Sequence, residues 1–512
     1  MTSSLSPQLN GAALTAILCT VAATGADASY AYYVGRDLTE DGSVMLGGTG
    51  EEVSSHWLEI VPAEDHPEGT TIDVGVTGDA SIPGELIAIP QAARTFRYMQ
   101  MAYSDYEGFP APLTNGGVNE HQVAVRDVWA PSRDELVEMT PTPQRGLQYS
   151  DLARIVMERA TTAREGVEII GELIAEHGFA TYGGNTHLIA DPDEGWVVWE
   201  FAGGQGLWVA ERLGPDDVRV LYPGGIGEIP ADIEGDDDFL ASDNFFSFAG
   251  EQGWWDPASD TFDVHAVYGR QSVEDFRNPG IKLMSPADME EATRAMAPVS
   301  EADLMERVRD PRVVDDDAGY GQVVSLREDL ADPDLIRMWN APTGSVAAPF
   351  NVWWLGVTEV PMEYGQHRYL TKDSASTFLN PDFQMQEATE FAGRTFKRVM
   401  YYTCSDPDQL LAPVTRLLTG FESETRDDLG WVEQTASAMI DADNRDAARD
   451  LLTYYATSRA MDALELGDSM VEGLDAYTRF VTGQPRPEGD EINATGPTVN
   501  CVAGGDPDVP QE

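Results

Sequence analysis

SYAYYVGRDLTEDGSVMLGGTGEE, residues 29–52, is the stretch whose reading decides the fold. Aromatic and aliphatic residues alternate from Ser29 to Gly35 in the manner of a strand, Asp41-Gly42 marks a turn, and Ser43 to Gly47 returns as a second strand. Working outward, Trp57 to Val61 predicts a third strand before a Pro/Gly-rich stretch, and a two-strand unit is expected around Val123 to Val128. Ser150 is placed to cap a helix running to about Ala160. Thr162 is placed to cap a second helix through Glu176, stopped by His177-Gly178. Strands resume in LIADPDEGWVVWEF (188–201) and LWVAERL (207–213), with Asp191-Pro192-Asp193 as a turn. Residues 230–345 read as irregular and acid-rich, FNVWWLGVTEV (350–360) as a buried strand, Phe383 to Tyr402 as a long helix, and 431–480 as helical. Hairpins separated by a helical pair imply an α+β class, sheets covered by helices, and not a doubly wound parallel fold.

The chain has 512 residues, 42% of them hydrophobic, enough to bury a sizeable core. Its 88 acidic residues stand against 32 basic ones, only three of them lysines, Lys282, Lys372 and Lys397. At net −56 the surface repels nucleic acid and anionic membranes, so neither is expected as a partner. Such a surface suits high salt, where screening relieves self-repulsion. The seven histidines form no HxxxH or HxH pair, so no zinc or other metal site is expected. GGQG (203–206) and PGGIG (223–227) lack the lysine or strand-helix context of phosphate loops, so no cofactor is expected. Cys19, Cys404 and Cys501 form no disulfide framework; Cys404 and Cys501 are read as separate thiols, with a bridge between them as the alternative.

Residues 11–25, GAALTAILCTVAATG, are apolar, too short to span a membrane, and followed by the A-x-A pattern Ala26-Asp27-Ala28. Cleavage there makes Ser29 the first residue. The expected location is secreted or periplasmic; the cytoplasm is the alternative, because no Lys or Arg precedes the apolar run.

The Ser29 to Glu52 stretch resembles the opening of the C69 dipeptidases, in which a cysteine freed at the mature N-terminus is followed by strand, turn, DGS and a second strand. Counted without gaps from Gly35 and Asp41-Gly42-Ser43, Ser29 stands where that cysteine stands. GGVNEHQVAV (116–125), IADPDEGWVVWEF (189–201), IGEI (226–229) and WWLGVTEVP (353–361) agree in order, so the resemblance covers roughly residues 29–420. It implies the N-terminal-nucleophile (Ntn) hydrolase fold, a four-layer αββα sandwich of two antiparallel sheets between helical layers, and hydrolysis of amide bonds in short peptides. The implied division is a signal peptide or propeptide at 1–28, the Ntn domain at 29–420, a helical extension at 421–483 and a flexible tail at 484–512. A homo-oligomer is left open.

An N-terminal serine joins nucleophile and base in one residue, because its α-amino group, whose ordinary pKa is about 7.7 to 8.0, lies within reach of its own hydroxyl. Ser29 is therefore the candidate catalytic nucleophile. Asn119, before a strand, is a candidate to donate to the oxyanion, with an Asx-type turn cap as the alternative. Glu51 and Glu52 follow the second strand where the family carries an acidic residue. They are candidates to hold the free amine or the substrate's amino end, against the alternative of a solvated loop acid. His121 and Asn185 complete the substrate-binding candidates; His121 and His56 also read as hydrogen-bonded structural residues. Two departures accompany the serine: Gly48 stands where the family often has arginine, and Leu221-Tyr222-Pro223-Gly224-Gly225 stands where it has asparagine or arginine before IGEI. Beside the dipeptidase reading stand an amidase of small acylated substrates and a non-catalytic relative.

Overall fold

The computed structural model describes residues 29–51, 56–104, 108–271, 283–367, 389–482 and 501–502. Residues 1–28, Lys282, Lys372, Phe383 and most of residues 483–512 lie outside the described residues. The opening stretch forms the expected hairpin, β1 (Tyr30–Val34) and β2 (Val44–Thr49), paired antiparallel from Tyr30↔Thr49 to Val34↔Met45. Its turn is closed by Asp41, whose Oδ1 accepts from the Ser43 amide at 3.1 Å, while Gly42 sits at φ 75°. Every residue of β1 is buried, because both faces of its sheet are covered, and a doubly covered strand reads as a continuous apolar run.

Twelve further strands complete two sheets. They are β3 (His56–Val61), β4 (Tyr98–Tyr103), β5 (Leu113–Asn119), β6 (Ala124–Trp129), β7 (Asn185–Ala190), β8 (Gly195–Glu200), β9 (Trp208–Leu213), β10 (Val218–Leu221), β11 (Phe239–Ala241), β12 (Gly321–Leu326), β13 (Arg337–Ala341) and β14 (Asn351–Trp354). One sheet runs β10-β1-β2-β12-β13-β14, the other β11-β9-β8-β7-β6-β5-β4-β3, and every pairing is antiparallel. The sheets face each other across one apolar core. There Tyr33 of β1 lies on Gly195 of β8, where an added Cβ would stand 2.4 Å from its ring.

Helices α1 (Tyr149–Arg159) and α2 (Ala163–His177) cover the outer face of the larger sheet over a second core. Thr162 caps α2 as expected, accepting from the Glu165 amide at 3.1 Å. Gln148, not Ser150, caps α1: it accepts from the Ser150 amide at 2.7 Å in a capping box with Asp151, and Ser150 Oγ instead receives the Thr114 amide at 2.6 Å. The smaller sheet is covered by α3 (Pro286–Arg294) and α4 (Glu301–Val308). These helices and β12 and β13 correct the irregular reading of residues 230–345. That stretch supplies one helical layer and the strand next to β2. The αββα sandwich expected from the resemblance is the observed architecture.

Among the described residues three C-terminal helices follow, α5 (Ala392–Cys404), α6 (Pro407–Asp441) and α7 (Arg445–Thr482), with α7 packed on β14. A boundary at 420/421 falls inside α6; the structural unit is the three-helix cap. Cys404 and Cys501 form a disulfide, so the reading of separate thiols gives way to its alternative.

Candidate active site

Ser29 sits at the entrance to β1, 5% exposed, between the end of β2 on one side and the end of β10 on the other. Its Oγ accepts a hydrogen bond from the backbone N–H of Glu51 at 3.0 Å. The register of the hairpin causes this contact: Tyr30 pairs with Thr49, so the chain continuing past β2 returns along Ser29. The Gly48 departure has a local reason. Gly48 has φ 149°, and a Cβ there would stand 2.1 Å from the Tyr30 carbonyl oxygen, so no side chain fits this backbone.

Residues 318–320, leading into β12, build the other wall. Gly319 N–H donates to Gly50 O at 2.8 Å, Ala318 bridges Glu51, and Thr49 Oγ1 donates to Tyr320 O. Arg126 of β6 crosses from the facing sheet, donating through Nη2 to Thr49 O at 3.0 Å and through Nη1 to Gln322 Oε1, with its guanidinium 5.1 Å from the Tyr320 ring centroid. His56 lies between the Tyr103 and Tyr320 rings, centroids 5.4 and 5.3 Å away, and its Nε2 is 3.1 Å from Asn115 Oδ1. Asn115 in turn donates to Asp127 Oδ1 at 3.2 Å. His56 is thus held as a structural residue in a buried polar chain. Burial, reinforced by Tyr32, Glu51, Asp310 and Asp315, raises the Tyr30 phenol well above its ordinary pKa, so it stays neutral and donates to Val308 O at 2.6 Å.

The sequence candidates part company here. Glu51 is 7% exposed and lies beside Ser29, which removes the reading of a solvated loop acid. Glu52 lies outside the described residues. Asn119, at the far end of β5, takes the turn-capping role: Nδ2 donates to Met157 O at 3.0 Å and Ala160 O at 2.8 Å, and Oδ1 accepts from the amides of His121 and Val123. With both amide hydrogens committed, it has no donor left for an oxyanion. His121 is on the same turn, exposed, with its ring 4.3 Å from that of Phe96. Asn185 begins β7 opposite Trp129 and Glu200, donating to Thr186 O at 3.1 Å. His121 thus shares the Asn119 end of β5, away from Asn115 and His56, whereas Asn185 enters β7 at the sheet end that carries Asp127 and Trp129. Sequence reading missed Arg126, Tyr320 and Gln322. GQVVSL (321–326) lies in the stretch read as irregular, and a buried arginine inside a strand pattern gave no sign of its partners.

Residues 31–280, which carry β1, β2 and the whole of the larger sheet, match the family model of peptidase family C69. Just under half of the chain is therefore similar to peptidase family C69. A probable dipeptidase B from Streptococcus pyogenes is 26% identical over 261 residues, 50% of this chain and 49% of that protein. A dipeptidase from Bifidobacterium longum is 29% identical over 220 residues, 39% of this chain and 38% of its own. The matched stretch thus spans about half, or less, of each of these relatives. A crystal structure of a mutant conjugated bile acid hydrolase from Clostridium perfringens aligns at 9% identity over 67% of this chain and 97% of that one, with a TM-score of 0.29 too low to carry weight.

Proposed function

We propose that the chain, cut between Ala28 and Ser29, hydrolyses dipeptides or short peptides with Ser29 as nucleophile. The observation that carries this reading is the buried Ser29 Oγ held by the Glu51 N–H at 3.0 Å. That bond occupies one lone pair of the hydroxyl and leaves its proton free to point toward the residue's own nitrogen. In the cut protein that nitrogen is a free amine. Ser29 Oγ attacks the substrate carbonyl carbon as its proton passes to the amine. The C–N bond then breaks, the amine returns that proton to the leaving nitrogen, and an ester remains on Oγ. Water attacks the ester, giving one proton through the amine to Oγ and releasing the carboxylic acid. Glu51, buried and joined to Ser29 through its own N–H, is the candidate to hold the amine or the amino end of a peptide. The match to peptidase family C69 supports amide hydrolysis, and the Cys404–Cys501 bond favours an oxidising, extracytoplasmic setting.

The test uses protein beginning at residue 29 and a panel of dipeptides. Ser29→Ala keeps the amine and removes the attacking oxygen, so turnover should fall by about three orders of magnitude or more. Ser29→Cys should retain or raise it. Full turnover by Ser29→Ala would exclude Ser29, and an inactive parent with an active Ser29→Cys would instead identify a lapsed enzyme.

A further inference from the structure

Lys397 is the only lysine among the described residues, and it lies on α5, outside the stretch matched to the family. Its ammonium does not point to solvent. Nζ donates to Asp316 O and, at 3.2 Å, to Ala318 O, gripping the turn that precedes β12. Tyr401, one helical turn further along α5, donates to Asp316 Oδ2 at 3.1 Å and fixes the same turn. From there the contacts run directly to the nucleophile: Ala318 bridges Glu51, Gly319 N–H holds Gly50 O at 2.8 Å, and Glu51 N–H holds Ser29 Oγ at 3.0 Å.

We propose that Lys397 is a positioning residue for Ser29, so that the C-terminal cap is part of the active site. This rests on the reading of Ser29 as nucleophile. The lysine does two things there. It fixes the 316–318 turn, next to the Gly319 N–H that holds the Gly50-Glu51 ledge, and it places a positive charge that acts on Glu51. Burial draws the ammonium below the ordinary lysine pKa while Asp316, Asp317, Asp315 and Glu51 oppose that pull, so its charge is set against a local excess of carboxylates. The charged groups around this end of β1 are Glu51, Asp310 and Asp315, which act on the adjoining Tyr30, Asp316 and Asp317, which act with Glu51 on Lys397, and Arg126, which donates to Thr49 O. Acids stabilise the protonated form of the Ser29 amine, and the lysine counteracts them. Removing that charge raises the amine's pKa and leaves less of it as free base at neutral pH.

Trimmed parent, Ser29→Ala and Lys397→Met are compared for dipeptide turnover across pH and for melting temperature. Lys397→Met should lower kcat by about ten- to a hundredfold with little change in KM, because the ledge is displaced while the peptide-binding walls remain. The acid limb of its kcat/KM profile should move up by about one pH unit. If Lys397→Met does not fold, Lys397→Gln, which keeps two donors for the same carbonyls without the charge, is read for the limb alone. An inert Ser29→Ala together with parental kcat and acid limb in the lysine variant overturns the positioning role and leaves the nucleophile intact. An active Ser29→Ala overturns both.

Discussion

The space between the two sheets and the seam between the smaller sheet and the C-terminal cap are both buried, yet they are held by different forces. Between the sheets, tyrosines, valines and leucines meet with few charges, Arg126 being the large exception. At the seam, arginine and carboxylate pairs do the joining. Arg309 takes both oxygens of Glu422, Arg327 and Arg337 share Glu433, and Arg445 and Arg449 converge on Asp334. The three arginines around Asp334, Arg97 included, hold its carboxyl below the usual range although burial pushes the other way. In a chain with 88 acids and 32 bases, arginines are gathered where helices must dock, while the excess acids remain outside. A sheet-to-sheet core can be built from shape and apolarity alone. Long acidic helices need neutralisation before they pack.

The sharpest way to break this contrast is Glu422→Ala. It leaves the buried Arg309 guanidinium and the Phe350 amide without their acceptor, and should cost about 3–5 kcal/mol in denaturant unfolding. Combining it with Arg309→Met should recover most of the loss, since no buried charge is then left alone. A single-variant cost under about 1 kcal/mol would mean that the seam behaves like a surface pair.

On the other side of the larger sheet, Asn119→Ala removes the donors from Met157 O and Ala160 O. It should destabilise by about 1–3 kcal/mol without changing turnover per folded molecule. A loss of turnover in folded Asn119→Ala would return that residue to the catalytic site.

The smallest effect separates buried from exposed charge. Between 0.1 and 1 M NaCl the Debye length shrinks from about 10 to about 3 Å, which screens repulsion among surface acids far more than it weakens enclosed pairs. The melting temperature should rise by a few degrees. A fall would show that the seam pairs are screened as readily as the surface.

The sequence was most readable where local pattern and burial coincide. The β1–β2 hairpin, Thr162 as the cap of α2 and the Asp191 turn all declare themselves through residues close in sequence. The position of Ser29 at the entrance to β1 was legible for the same reason, since it follows from the spacing to the hairpin turn. Strand β12 was hidden because its apolar residues lie among acids, and Arg126 because its partners, Thr49 and Gln322, come from two strands of the other sheet. Asn119 misled because an amide before a strand looks alike whether it serves a turn or a substrate. Only the third dimension shows that Met157 and Ala160 occupy its hydrogens.

The Cys404–Cys501 bond adds something that none of the contacts can. The bonded cysteines are 97 residues apart, so the bond turns most of the cap, α6 and α7 complete, into a closed covalent ring. A ring of that size restricts the denatured chain by an amount worth about 4–5 kcal/mol in chain-entropy terms, without a single native atom having to press harder on another. The cap's hold on the sheet therefore has one share that depends on ion pairs and another that depends on the oxidation state of its surroundings. In a reducing compartment the same folded contacts would face a freer unfolded competitor.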